Sequence, residues 1–451
     1  MKIQRILLYG IPIVLYFVAL HFLFSFIPVW MNDPIKLGID SLFTDFFANW
    51  FKIFPFIGLV ALAGLITYYG IHFLASFGKY KIKEYYYPKI SVIVASKNEK
   101  PLLERTLDSI VNSNFPTENM QLVVVVSDSN DNSQEFCENF AKKHDNLDMD
   151  IISDHIPKKG KPAALNRGLK KVKNEICVFY DSGIRVESDT LATLVAPLRD
   201  NNINVAIGAT LVDNWKANNW CRGAALDYTF SAGGNMFFDV KNKLGSSAYV
   251  FGRNFCIRTN LLQELGGFNE DSLTEDLYLT VLLNLRGDKI LFVPDAKAYD
   301  RAPITFSAIQ KQRRRWVGGY VADMPQLMEM KEGEKNGSTI IISRNLSMIL
   351  LHHVDNWILI IIPLIIVFWL IGSYYLLSWM ISLFVFMFGY LLNSIKKYGD
   401  GHYSLLLWLP YCAIIHFFML RLQFTLPKEI SWEKTPMILE KSEEEVEALI
   451  S

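Results

Sequence analysis

Residues 6–30 and 51–77 are almost unbroken apolar runs, each longer than the roughly 20 residues that let a helix cross a bilayer with its backbone satisfied internally. Comparable runs return at 346–371, 374–392 and 403–420, and only a Gly372-Ser373 turn separates the first two, which reads as a hairpin. A charge-rich stretch lies between these apolar ends. The 51% hydrophobic fraction, 14% aromatic fraction and mean hydropathy of +0.20 exceed what a soluble globular chain needs. A formal net charge of zero gives no reason to expect a nucleic-acid partner.

Loop charges set an expected orientation. Lys2 and Arg5 precede the first run, Lys79, Lys81 and Lys83 follow the second, and the intervening loop carries Asp33, Asp40 and Asp45 against Lys36. The positive-inside rule places the N-terminus and the middle of the chain in the cytoplasm. A cleaved signal peptide is disfavoured, because the first run is too long and no small-residue cleavage pattern comes after it. The expected organisation is two transmembrane helices over 1–78, a cytosolic domain over 79–330 ending in an interfacial helix, about three hydrophobic segments over 331–423, and a polar tail over 424–451. Lys396 and Lys397 favour the cytoplasmic side of their loop. Three complete spans would leave the tail outside, so one segment could instead lie along the interface or re-enter.

The middle begins at Pro88. Lys89-Ile90-Ser91-Val92-Ile93-Val94-Ala95 reads as a buried parallel strand, and Leu102, Leu103, Leu107 and Ile110 continue at helical spacing. A second β-branched run over 121–126 ends in Ser127-Asp128-Ser129-Asn130-Asp131, and a third over 175–180 ends in Asp181-Ser182-Gly183. Strands alternating with helices predict a parallel α/β sheet, whose ligands sit beyond the carboxyl ends of the strands, where Asn98, Asp128 and Asp181 fall. Cys137, Cys177, Cys221, Cys256 and Cys412 lack metal-ligand spacing and read as reduced packing residues.

Two motifs then stand 35 residues apart, Thr274-Glu275-Asp276 and Gln312-Arg313-Arg314-Arg315-Trp316. On a helix Gln312, Arg315 and Trp316 share one face, where guanidinium donors suit diphosphate oxygens and an indole suits an apolar sugar face. A basic surface helix after an acidic loop is the plain alternative for either motif alone. The pair resembles the membrane-integrated family 2 glycosyltransferases, among them cellulose, chitin, hyaluronan and poly-N-acetylglucosamine synthases and ceramide glucosyltransferases. The resemblance covers roughly residues 89–319 and the arrangement of flanking hydrophobic segments.

That resemblance implies an α/β, Rossmann-like GT-A domain flanked by transmembrane helices, in the cell membrane with the catalytic domain cytoplasmic. By the same resemblance, Asp128 contacts the nucleotide base, with Asn98 and Glu99 in the loop beside it. Lys161, in Gly160-Lys161-Pro162-Ala163-Ala164-Leu165-Asn166, is implied to neutralise the donor diphosphate or nucleotide. Asp181 matches the first aspartate of an Asp-x-Asp motif for Mg²⁺ or Mn²⁺, although Gly183 replaces the second. Asp276 is the implied general base of an inverting transfer, Glu275 supports its loop, and Thr274-Glu275-Asp276 would also cap a helix. Gln312, Arg315 and Trp316 complete the implied catalytic set.

Gly252-Arg253-Asn254-Phe255 resembles the acceptor-side segment but departs from the polymer synthases. Residues 230–238 could face the acceptor or only pack. His352, His353 and Asp355 could line a pathway or sit at the interface. Residues 304–330 suit an amphipathic helix on the membrane surface. The expected partners are a nucleotide-diphosphate sugar, UDP-linked in keeping with the resemblance, a sugar-polymer or lipid acceptor, and membrane lipid. The leading reading is synthesis and export of a β-linked polysaccharide. Single transfer to a lipid is the alternative within the enzyme class, and a transporter that only binds nucleotide sugars is the rival outside it.

Overall fold

The computed structural model describes residues 37, 40–41, 53–78, 85–156 and 160–425. The first apolar run, the basic residues beside it and Lys79 to Lys83, and the tail beyond Thr425 lie outside the described residues. The chain divides into two compact units, one of Met1–Gly78 with Val354–Ser394, the other of Lys79–His353 with Ile395–Ser451.

In the first unit, helix α1 (Ile53–Phe77) carries no acidic residue in its first turn and no basic residue in its last. Its Ser76 hydroxyl accepts a 2.7 Å hydrogen bond from Asn393. Gly70 lies against the Phe386 ring. Among the described residues, helices spanning Ile57–Phe77, Tyr374–Tyr398 and Tyr403–Thr425 are long and apolar enough to cross a membrane, and the bent pair Gly337–His352 with Val354–Leu370 has the form of a broken span or a re-entrant loop.

The second unit is built on an eight-stranded sheet. Its strands are β1 (Ile90–Ala95), β2 (Met120–Val125), β3 (Asp148–Ile152), β4 (Ile176–Asp181), β5 (Arg185–Val186), β6 (Val205–Val212), β7 (Phe255–Arg258) and β8 (Ile290–Asp300), in the order β3-β2-β1-β4-β7-β6-β8-β5. The three strands expected from the apolar runs form within a residue of their expected bounds and pair in parallel. The sheet as a whole is mixed rather than parallel, because β7 runs antiparallel to both β4 and β6. Asn254, just before β7, accounts for the irregularity beside it. Its amide donates to the carbonyls of Ala209 and Ala296, each at 3.0 Å, across the register shift between Gly208 and Ala209.

Ile90, Val92 and Val94 pack with Leu103, Leu107 and Ile110 of helix α2 (Lys100–Val111) in one core. Burying each such side chain contributes about 1.5–3 kcal/mol. All five cysteines are buried, and none forms a disulfide among the described residues.

Candidate active site

The register pairs Ala95 of β1 with both Val125 of β2 and Asp181 of β4, so the loops after these strands emerge at one edge. Asn98 and Asp128 turn those loops with φ of 55° and 59°, a left-handed conformation that their short polar side chains tolerate. Asn98 Oδ1 accepts from the Asn130 N–H at 2.7 Å, and the Asn98 N–H donates to Ser129 Oγ at 3.2 Å. Asp131 then holds two helix starts: Oδ2 accepts from the Lys100 N–H at 2.8 Å and Oδ1 from the Ser133 N–H at 3.2 Å. Burial raises the Asp131 carboxyl, but the Ser133 hydroxyl and these N–H groups outweigh it and hold the group below its ordinary range. Asp128 is likewise depressed, first by its hydrogen bond with His155 at 2.7 Å and also by Lys97 at 3.9 Å.

Gly160, with φ of 130°, turns the chain into the helix Lys161–Leu169. That turn sets Lys161 Nζ 2.6 Å from Asp181 Oδ1 and 3.0 Å from Glu275 Oε1. Burial works against the Lys161 ammonium, yet Asp181 and Glu275 carry its pKa upward. Burial pushes the Glu275 carboxyl up against the pull of the same lysine. Beside them, Asp276 Oδ2 accepts from the Gly252 N–H at 3.1 Å and Oδ1 from the Leu277 N–H at 2.8 Å. Glu275 and Asp276 open the helix Glu275–Arg286, where carboxylates favour the dipole. Thr274 occupies the N-cap position, but its side chain makes no cap bond and donates to Asp323 Oδ2 at 2.7 Å instead.

Asp323 belongs to the helix Phe306–Glu329, which starts at Thr305, whose hydroxyl accepts from the Ala308 N–H at 3.2 Å. The Ser272 hydroxyl also donates to Asp323, so one carboxylate fastens the acidic loop to the motif helix. The two approach so closely that a Cβ on Gly319 would meet Thr274 Cγ2 at 2.8 Å and Leu273 Cβ at 2.9 Å.

Gln312, Arg315 and Trp316 do face one cavity, of about 510 Å³. Glu99, Asp128, Lys161, Asp181, Glu275 and Asp276 line the same cavity, whereas Asn98 does not and instead shapes the loop. Arg315 Nε is buried without a hydrogen-bond partner. The wall continues through Tyr228, Arg253, Arg344, Met348, His352, Met419 and Gln423.

Several residues at this site do not stand out in the sequence. Arg313 is buried, pairs with Asp227 Oδ2 at 2.6 Å and lies over the Trp316 ring at 4.3 Å. Its i,i+3 spacing to Trp316 is the available signal. Arg253, singled out only as part of its segment, lies over the Tyr228 ring at 4.2 Å and 3.3 Å from Asp300, partners too distant in sequence for a local pattern to show. Within residues 230–238, Ser231, Ala232 and Gly233 line the cavity, while Phe230, Phe237 and Phe238 are packed. His352 lines the cavity, and Asp355 falls in the other unit.

A hard divalent cation takes one or two carboxylates and completes its shell with substrate phosphates and water. Asp181 suits that limited role, because its side chain is 40% exposed and Lys161 engages only Oδ1. It joins no three-ligand cluster among the described residues, so a donor diphosphate would have to supply the remaining oxygens.

A mixed sheet with acidic residues at its strand ends and a fastened acidic loop defines a GT-A-like, Rossmann-like fold. The chain belongs to glycosyltransferase-like family 2, whose family model matches residues 88–319, and a chitin synthase model matches residues 258–433. A probable glycosyltransferase, YdaM of Bacillus subtilis, is 28% identical over 51% of this chain and 55% of its own length. A beta-monoglucosyldiacylglycerol synthase of Trichormus variabilis is 27% identical over 58% of this chain and 57% of its own. A poly-beta-1,6-N-acetyl-D-glucosamine synthase of Staphylococcus epidermidis is 24% identical over 51% of this chain and 54% of its own. The chain thus spans about half the length of these relatives. The mannosyltransferase PcManGT of Pyrobaculum calidifontis, solved with GDP-Man and Mn²⁺, shares the fold at a TM-score of 0.51 and 18% identity, over 81% of this chain and 96% of its own.

Proposed function

We propose that the chain is a membrane-bound, inverting glycosyltransferase that moves a sugar from a nucleotide-diphosphate donor, UDP-linked, to a hydroxyl presented at Asp276. The observation that carries this reading is the single cavity bringing Lys161, Asp181 and Asp276 together with Arg315 and Trp316. Asp276 is held by two backbone N–H groups, which fix its carboxylate without using all its lone pairs. The acceptor oxygen attacks the anomeric carbon from the face opposite the diphosphate. The new C–O bond forms as the bond to phosphate breaks, the proton passes to Asp276, and the electron pair leaves on the nucleoside diphosphate.

Lys161 and Arg315 stabilise that leaving charge, and Trp316 offers a plane to a sugar ring. Asp128 and the Asn98–Glu99 loop hold the nucleotide. Mg²⁺ or Mn²⁺ at Asp181 would supply Lewis-acid stabilisation of the departing phosphates.

The acceptor we favour is a growing β-linked polysaccharide, on the strength of the Trp316 plane and the likeness to a polysaccharide synthase. A second reading, transfer of one sugar to a lipid, is supported by Met348 and Met419, which bring apolar, span-forming segments to the cavity wall. The named lipid synthase among the relatives supports it too. Under either reading the loop charges favour the cytoplasmic side for the catalytic unit.

The test is donor turnover by the purified, detergent-solubilised chain with a panel of UDP- and GDP-sugars, Mg²⁺ or Mn²⁺, and total lipid. A long, glycosidase-sensitive product supports the polymer reading, and one sugar on an extractable lipid supports the second. Binding of donor with no turnover on any acceptor would sink both and leave a nucleotide-sugar-binding protein.

A further inference from the structure

We infer that Asp227, His352 and His416 form a second metal site, separate from Asp181, which holds one divalent transition ion of the zinc class. All three are buried, at 3%, 4% and 0% exposure, and their ligand atoms lie within 4.8 Å of one another. They come from three separate parts of the chain: the helix Asn219–Phe230, the π-helical turn Met348–His352 and the helix Leu409–Thr425.

Two ligands bound tetrahedrally to one ion at about 2.0–2.2 Å stand roughly 3.3–3.6 Å apart. His416 Nε2 and Asp227 Oδ1 are hydrogen-bonded at 3.0 Å, so only a small separation would admit a shared ion. His352 supplies an independent observation. Both of its ring nitrogens are buried without a hydrogen-bond partner, so no hydrogen bond resists a turn of the ring toward a shared ion. The rings of His352 and His416 lie close together, with centroids 4.0 Å apart. A π-turn is a local irregularity often found where side chains must be re-aimed, and this one ends on His352.

Arg313 fits as an outer partner. It binds Asp227 Oδ2 at 2.6 Å, as groups behind a ligand carboxylate commonly do, while Oδ1 turns to His416 Nε2, a contact that a shared ion would replace. Two imidazoles and one carboxylate are a donor set for zinc and its neighbours in the first transition row, not for Mg²⁺. Asp227 and His352 both line the cavity, which gives an ion a route to the three ligands.

The experiment uses the full chain in detergent, tag removed, dialysed against zinc-free buffer containing Mg²⁺. Elemental analysis should find close to one zinc per chain, and replacement with Co²⁺ should give the ligand-field absorption of a low-coordinate site. His352→Ala and His416→Ala should each weaken retention by about tenfold or more, whereas Asp181→Asn should retain the ion. A folded wild-type chain with no stoichiometric ion and no cobalt spectrum overturns the site. So does retention that neither histidine substitution changes. Should the substituted chains aggregate, X-ray absorption on the wild-type zinc form decides: two imidazoles support the site, and one or none overturns it.

Discussion

Lys161 Nζ stands 2.6 Å from Asp181 Oδ1, joining the start of one helix to the end of the central strand β4. The lysine is also the counter-ion of buried Glu275. Lys161→Gln should therefore weaken donor binding and lower kcat/KM by about 100-fold, the scale of losing one charge-stabilising group. Titration with UDP-sugar alongside steady-state kinetics checks it. Unchanged donor affinity would show that the lysine is only structural.

Asp276→Asn keeps shape and volume but removes the basic carboxylate. Turnover should fall by about 10²- to 10⁴-fold, the usual contribution of a positioned general base, while donor affinity changes little. Turnover near the wild-type rate would place the base elsewhere.

The strands leading to these residues are legible in the sequence because continuous β-branched runs in a parallel region are buried on both faces. The motif helix is legible through its i, i+3, i+4 spacing. The antiparallel strand β7 is not, since Phe255–Arg258 is four residues long and its placement depends on Asn254 bonding carbonyls more than 40 positions away. The role of Thr274 is equally hidden: an N-cap pattern is local, whereas its hydroxyl reaches Asp323, 49 residues on.

Gly319→Ala tests the junction between the two motifs. A methyl group there would press on Thr274 Cγ2 and Leu273 Cβ, and overpacking of this kind costs about 1–3 kcal/mol. Stability by denaturant titration should fall by that amount, and kcat should fall more than donor affinity. Full activity with unchanged stability would mean the loop yields freely.

Asp131→Asn leaves one acceptor oxygen for the two helix starts and removes the charge, and should cost up to about 1 kcal/mol near neutral pH, the scale of one lost cap bond. The folded carboxyl titrates below its ordinary 3.8, so its contribution is present above that pH and is lost as pH falls through the folded value. Melting curves of both chains from pH 7 downward should keep a constant gap to about pH 5 and converge below 3.8. A gap that widens in acid would contradict the assignment.

Asp323 does not line the cavity, yet through Ser272 and Thr274 it sets where Asp276 stands relative to Trp316. The wall at Ser231, Ala232 and Gly233 lies on a different segment and takes no part in that tie. Substitutions along that wall would therefore reshape the cavity while leaving the tie between Asp323, Ser272 and Thr274 in place, so that the form of the cleft and the footing of Asp276 rest on separate sets of residues.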